Sequence, residues 1–263
     1  MKTAFLFAGQ GAQTPGMGKD IYEADPLAKA VFDSVELDVD IKDLCFQGPK
    51  EKLDDTQYAQ PAIFVTSMAL AKVLHEYGIQ ADVVAGLSLG EYAALCYAKA
   101  FSISDGAKIV RERGKIMANA LPAGTSSMYA ILMLDEVSIL EACEEVKSIG
   151  VCEIANYNCP GQIVITGEKA AVDKAKDLCI EKGARRAVPL AVSGAFHSSL
   201  LNDAAIKLHD VLSNYDLKKP SIPVYHNISG NIEDQPLIDI LSKQIAHSVY
   251  FEQTIANMLG DGV

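Results

Sequence analysis

Apolar and polar positions alternate along the chain in a pattern that predicts a layered α/β protein. Phe5 to Ala8 reads as a short buried strand running into the loop Gly9-Gln10-Gly11-Ala12-Gln13. Residues 19–35 carry helical spacing with Pro26 inside it, and the charged stretch from Asp38 to Asp55 reads as solvated surface. Gln60-Pro61 opens a long apolar helix from Ala62 to Tyr77, closed by Gly78. Val83 to Ala85 predicts a second strand. A helix to about Ala98 and another from Asp105 to Ala120 follow, the latter stopped by Pro122 and Gly124.

From Met128 the period shortens. The order becomes strand (128–134), helix (136–147), strand (152–158), a Pro160-Gly161 turn, strand (162–167), helix (169–182) and strand (185–192). This βαββαβ sequence predicts a ferredoxin-like small subdomain over 126–192, inserted into a larger one made of 1–125 and 193–263. The larger part, with its strand-turn-helix units, reads as α/β-hydrolase-like with a parallel sheet. After it come a loop at 193–199, a helix to about Tyr215, a proline-flanked strand (222–227) and a helix from Pro236 onward.

Composition narrows the class. The chain of 263 residues is 49% hydrophobic and 22% charged, ordinary globular usage. No apolar run reaches the roughly 18–20 residues that span a bilayer, and the first strand is too short and too soon broken to act as a signal peptide. A net charge of −11 argues against a nucleic-acid partner. The six cysteines show neither C-x-x-C nor a metal-ligand spacing, so they read as reduced core residues of a cytoplasmic protein that holds no metal.

The chemistry centres on Val83-Val84-Ala85-Gly86-Leu87-Ser88-Leu89-Gly90-Glu91-Tyr92. A strand, Gly-x-Ser-x-Gly and a helix make a nucleophile elbow, a turn tight enough to leave the Ser88 hydroxyl exposed. A serine hydroxyl needs a base, and five histidines compete. His75 and His209 lie on amphipathic helices, His226 beside a strand and His247 near a helix end. His197 stands instead at a strand-to-helix junction, where sites of open α/β sheets collect. An acyl-serine also requires oxyanion donors: the Leu89 N–H follows from elbow geometry, and the Gly9-Gln10-Gly11 loop is the natural second source.

Six motifs occur together: Gly9-Gln10-Gly11-Ala12-Gln13, Gln60-Pro61-Ala62, the elbow, Arg113-Gly114-Lys115-Ile116-Met117, Asn156 to Gln162, and Gly194-Ala195-Phe196-His197-Ser198. In order and spacing they resemble the malonyl-CoA:acyl carrier protein transacylases, acyltransferases of fatty acid and polyketide synthesis, over essentially the whole chain. The resemblance implies Ser88 as nucleophile, His197 as base, and the amides of Gln10 and Leu89 as oxyanion hole. It further implies that Arg113 binds the malonyl carboxylate and that Phe196 and Met117 line the acyl pocket, with Phe196 narrowing it against a 2-methyl branch. A planar guanidinium suits a carboxylate through two parallel bonds.

Two positions depart from the family pattern. Leu87 stands where histidine is common, and Val249-Tyr250-Phe251 where Val-Gln-aromatic is common. The backbone carbonyl that orients the His197 imidazole is therefore expected at Tyr250. The family also continues beyond the place where Gly260-Asp261-Gly262-Val263 leads into a strand, which gives the expectation of a chain cut short.

The implied partners are malonyl-CoA and an acyl carrier protein acting on a monomer, with coenzyme A a substrate and no bound cofactor. Carrier proteins are acidic, as is this chain. Lys174, Lys176, Lys182, Arg185 and Arg186 form a local basic segment, and Lys182, Arg185 and Arg186 are the expected docking residues. The competing reading is an acyl-carrier thioesterase or editing hydrolase on the same scaffold, with water as acceptor.

Overall fold

The computed structural model describes residues 2–192 and 194–263; Ser193, where the larger part was expected to resume, lies outside the described residues. In chain order the first half comprises β1 (Ala4–Phe7), α1 (Lys19–Ala24), α2 (Pro26–Asp33), α3 (Ile41–Gln47), α4 (Lys50–Asp54), α5 (Thr56–Glu76), β2 (Val83–Gly86), α6 (Gly90–Tyr97) and α7 (Ile103–Ala118). The second comprises β3 (Ser126–Leu132), α8 (Glu136–Glu145), β4 (Cys152–Cys159), β5 (Gln162–Glu168), α9 (Lys169–Glu181), β6 (Arg186–Pro189), α10 (Asn202–Leu212), β7 (Val224–His226), β8 (Asn231–Ile232), α11 (Leu237–Gln244), β9 (Val249–Tyr250) and α12 (Phe251–Gly260).

Among the described residues the fold is mixed α/β, with two sheets. The first has the order β1-β2-β7-β8, with β1, β2 and β7 parallel and β8 antiparallel at the edge. Its parallel strands all end on one side, so the loops after β1, β2 and β7 meet there, as open α/β sheets require of a site. The second sheet has the order β6-β3-β5-β4-β9. Its first four strands pair antiparallel, whereas β9 joins β4 in parallel. That fifth strand comes from residues 249–250, so the second sheet extends beyond the expected 126–192.

The second sheet is buried on both faces. Ile131, Ile154, Ile163 and Ile165 point toward α8 and α9, while Met128, Ala130, Ala155 and Val164 join the main core. The two-residue alternation of a strand makes this division.

Local chemistry explains several boundaries. Asp25 ends α1 and caps α2, its side chain accepting from the Leu27 N–H with Pro26 in the first turn. The stretch expected to be plain surface contains α3 and α4, because Ile41, Leu44, Cys45 and Leu53 recur at helical spacing and are buried. Asp55 caps α5 at Thr56, so the helix starts before Pro61 rather than after it. Pro61 has no N–H for the Gln57 carbonyl four residues back, and Arg111 Nη1 donates to that carbonyl instead at 2.6 Å. The helix expected from Pro236 onward is interrupted by β9.

Four of the six cysteines are buried as expected. Cys152 is half-buried, and Cys159, at the β4–β5 turn, is exposed. No helix among the described residues is long and apolar enough to cross a membrane.

Candidate active site

Ser88 sits between β2 and α6 with φ of 51°, a left-handed conformation that a non-glycine residue adopts only when its surroundings enforce it. Those surroundings are backbone at close quarters. A Cβ on Gly86 would collide with the Gly90 and Glu91 backbone, and one on Gly90 with the Phe7 and Ala8 carbonyls at the end of β1. Both glycines are thus required by packing as well as by the turn.

His197 is the other left-handed residue of the site, with φ of 59°. Its Nε2 lies 2.8 Å from Ser88 Oγ, and its Nδ1 lies 2.9 Å from the Gln244 carbonyl. A carbonyl only accepts, so Nδ1 carries the proton and Nε2 presents its lone pair to the serine hydroxyl. Burial first, and the nearby Arg113 charge second, push the imidazole down to about 4 from its ordinary 6.5. The ring is therefore neutral at neutral pH, the form in which it accepts a proton.

The carbonyl that orients His197 belongs to Gln244, not to Tyr250. The Tyr250 carbonyl accepts from Thr254 Oγ1 at 2.9 Å, and its N–H donates to the Asn227 carbonyl at 2.8 Å, so its backbone is committed to the start of α12. The Tyr250 ring stacks on Tyr157 at 5.0 Å and lines a groove of about 810 Å³ on the other side of His197, outside the Ser88 cavity.

Arg113, from α7, is 1% exposed. Its Nη1 donates to Gln60 Oε1 at 2.8 Å, and its Nη2 donates to Ser88 Oγ at 3.0 Å and Gln244 Oε1 at 2.9 Å. Nε has no hydrogen-bond partner, and no carboxylate forms an ion pair with the group among the described residues. Burial lowers its pKa, yet a guanidinium keeps its proton, so the site holds a cation dressed only by neutral groups. Leaving an ion so placed costs on the order of several kcal/mol, which an anionic ligand would recover. Arg111, two residues away, points elsewhere and pairs with Asp38, its Nε 2.8 Å from Oδ1.

These groups open into one cavity of about 120 Å³ between the two sheets, with Gln10, Leu89, Met117 and Phe196 among its walls. Leu87 also lines it, on the side approached by Gly9. The N–H groups of Gln10 and Leu89 have no acceptor among the described residues and are available to an oxyanion. The Gln10 side chain donates to Thr56 Oγ1 at 3.1 Å. Gln13 braces the loop, accepting from the Gly11 N–H at 2.7 Å.

Four partners have no role in the sequence reading, although Gln60 and Glu91 stand in its motifs. Gln60 Oε1 takes one arm of Arg113 while its Nε2 reaches Met117 Sδ at 3.4 Å; a glutamine in an apolar helix was the available signal. Asn227, after β7, accepts the Ser88 N–H at 2.6 Å and donates to the Gly86 carbonyl at 2.7 Å, bracing both arms of the elbow. Gln244 and Glu91 complete the set, Gln244 Nε2 donating to the Ser88 carbonyl at 2.9 Å and to Glu91 Oε2 at 2.6 Å. Of the four remaining histidines, His75 is exposed, His209 faces Asp239, His247 Nδ1 meets the Lys243 carbonyl near the end of α11, and His226 pairs with Glu91.

One cavity thus gathers a hydroxyl hydrogen-bonded to a neutral imidazole, two free backbone amides and a buried cation, groups whose chemistry suits acyl transfer. The chain matches the acyl transferase domain family over residues 4–262. The malonyl CoA-acyl carrier protein transacylase of Bacillus subtilis (strain 168) is 43% identical over 267 residues, spanning 100% of this chain and 84% of that protein. The crystal structure of the same enzyme from Clostridium perfringens ATCC 13124 superposes with a TM-score of 0.96 at 40% identity, covering 100% of this chain and 84% of that one. A malonyl-transacylase solved in complex with its type II polyketide acyl-carrier protein gives 0.96 at 38% identity, covering 100% and 87%. The chain belongs to the malonyl CoA-acyl carrier protein transacylase family of acyltransferases.

Proposed function

We propose that this protein moves a malonyl group from malonyl-CoA to the phosphopantetheine thiol of an acyl carrier protein through an ester on Ser88. The observation that carries the reading is the Arg113 guanidinium, buried, without a carboxylate and 3.0 Å from the nucleophilic oxygen. His197 takes the Ser88 proton as Oγ attacks the thioester, and the Gln10 and Leu89 amides hold the oxyanion. Coenzyme A leaves with that proton, and the carrier thiol then reverses the sequence in a ping-pong cycle. Arg113 grips the malonyl carboxylate, Phe196 excludes a 2-methyl branch, and Met117 packs along the acyl group. No metal or bound cofactor enters the scheme.

An editing hydrolase is the weaker reading. A simple acyl chain has no use for a buried cation, and the relatives reported above are named as transacylases. We read the molecule as an α/β-hydrolase-like part (1–125 and 193–263) carrying a ferredoxin-like unit (126–192), working as a cytoplasmic monomer. The parallel order β1-β2-β7 and the antiparallel order β6-β3-β5-β4 support that division.

Intact-mass spectrometry after mixing with malonyl-CoA, acetyl-CoA or methylmalonyl-CoA tests the function. One malonyl adduct per chain is expected, lost in Ser88→Ala. Equal labelling by all three thioesters would sink the assignment.

For the carrier, the expected basic edge narrows on inspection. Lys182 is held by Glu141 and Glu145, each at 3.0 Å, and Lys176 by Asp177 at 2.7 Å. Arg185 and Arg186 are exposed and free of ion pairs among the described residues, at the start of a strand that leads to Leu190 on the cavity wall. Reversing both to glutamate is expected to slow transfer to the carrier about tenfold at low salt while acylation by malonyl-CoA stays unchanged. An unaltered carrier rate would dispose of this docking edge.

A further inference from the structure

Behind the reacting groups lies a second ionisable pair with no part in the scheme above. Glu91, in the first turn of α6, is fully buried, and His226, the last residue of β7, is 1% exposed. His226 Nδ1 lies 2.6 Å from Glu91 Oε1, the ring nitrogen donating when the carboxyl is ionised. Glu91 Oε2 accepts from the Asn227 N–H at 3.1 Å and from Gln244 Nε2 at 2.6 Å. Among the described residues both partners of Oε2 are donors, so that oxygen is engaged twice as an acceptor, and His226 fixes the other. Burying a carboxylate this deeply costs free energy that its hydrogen-bond partners must offset, and those partners are held in one arrangement by it.

What it enforces is the orientation of one amide. Gln244 Nε2 faces two acceptors, Glu91 Oε2 and the Ser88 carbonyl, and so Oε1 faces Arg113 Nη2 at 2.9 Å. The flipped amide would set its oxygen against a carboxylate and a carbonyl, and its NH₂ against a guanidinium. The negative charge thus stands one amide away from Arg113. It offsets part of the buried cation's cost without occupying the face that a substrate carboxylate needs. His226 holds the far oxygen, so the carboxylate cannot swing toward the guanidinium itself.

We propose that Glu91 and His226 are positioning residues for acyl selection: through the Gln244 amide they keep the Arg113 guanidinium aimed at the carboxylate of a malonyl-type acyl group. The inference rests on the reading that Arg113 takes the substrate carboxylate.

The test is the ratio of Ser88 acylation rates with malonyl-CoA and acetyl-CoA, measured by rapid quench and mass spectrometry on the full chain. In His226→Ala the malonyl rate is expected to fall about tenfold with the acetyl rate nearly unchanged, because only the former depends on guanidinium placement. His226→Asn, which keeps a side-chain N–H for Glu91, is expected to recover most of the ratio. Glu91→Gln, which keeps the volume and replaces an acceptor with a donor, is expected to lower the ratio as His226→Ala does and serves if His226→Ala fails to fold. Parallel loss of both rates, or an unchanged ratio while the unaltered protein still prefers malonyl, would overturn the inference alone. An unaltered protein with no preference for malonyl would overturn the Arg113 reading and this inference with it.

Discussion

Replacing His197 by alanine is expected to slow malonylation of Ser88 about 10⁴-fold, the scale set by removing the base from a serine–histidine pair. The Gln10 and Leu89 amides, Arg113 and the cavity are left in place, so the residual rate reports what positioning and the electrostatics of the site supply without proton transfer. Stopped-flow release of coenzyme A measures it, and a loss below tenfold would remove His197 from the mechanism. The same residue predicts the pH profile. An exposed imidazole would cost the enzyme half its base near pH 6.5, whereas burial and Arg113 hold this one at about 4. Acylation is therefore expected to stay flat from pH 8 to about pH 5.5 and to fall only toward pH 4. The stability consequence has a definite sign. Between the unfolded value near 6.5 and the folded value near 4, the unfolded chain binds the proton and the folded one does not, so this group's contribution is complete above pH 6.5 and is lost as pH falls through that window. Comparing denaturation midpoints of the native protein and His197→Ala between pH 4.5 and 7 isolates it, since the variant should lack that part of the slope.

Arg113→Ala is expected to cost about 10³-fold in acylation by malonyl-CoA and far less with acetyl-CoA, because the malonyl carboxylate would then be buried without its partner. Arg113→Lys should recover little of this: an ammonium supplies the charge but not two parallel N–H bonds, and it cannot reach Gln60, Gln244 and the substrate together. The losses should appear without a matching drop in melting temperature, since removing a cation that has only neutral partners also removes its desolvation cost. A variant that loses malonyl and acetyl rates equally would mean that Arg113 serves the fold and not the acyl group.

The elbow was readable from the chain because its causes are local. Gly86 and Gly90 border Ser88 in sequence, and the close approaches that exclude a Cβ there follow from the turn they make. His197 was readable for a similar reason, as the one histidine at a strand-to-helix junction, and Arg113 through the family motif around it. Tyr250 shows the limit. A backbone carbonyl leaves no side-chain signature, so nothing in the residue types says which carbonyl meets the His197 imidazole. The path of the chain from α11 into β9 decides it, and brings Gln244 there instead. The basic edge shows the same limit at one residue: Lys182 reads as an unpaired cation in the sequence, whereas α8 packs beside it and brings Glu141 and Glu145 within 3.0 Å.

Sequence alone thus determined the α/β class, the strand-turn-helix that exposes Ser88, and the residue types able to do acyl transfer, because periodicity, glycine sterics and side-chain chemistry are properties of short stretches. Tertiary structure decided how these groups are held. Gln60, Glu91, Asn227 and Gln244 come from four separate elements and become partners only when the parallel sheet aligns its strand ends and α5 and α11 pack against them. Hydrogen bonds act over about 3 Å, and no pattern along the chain records a contact of that range between residues more than a hundred positions apart.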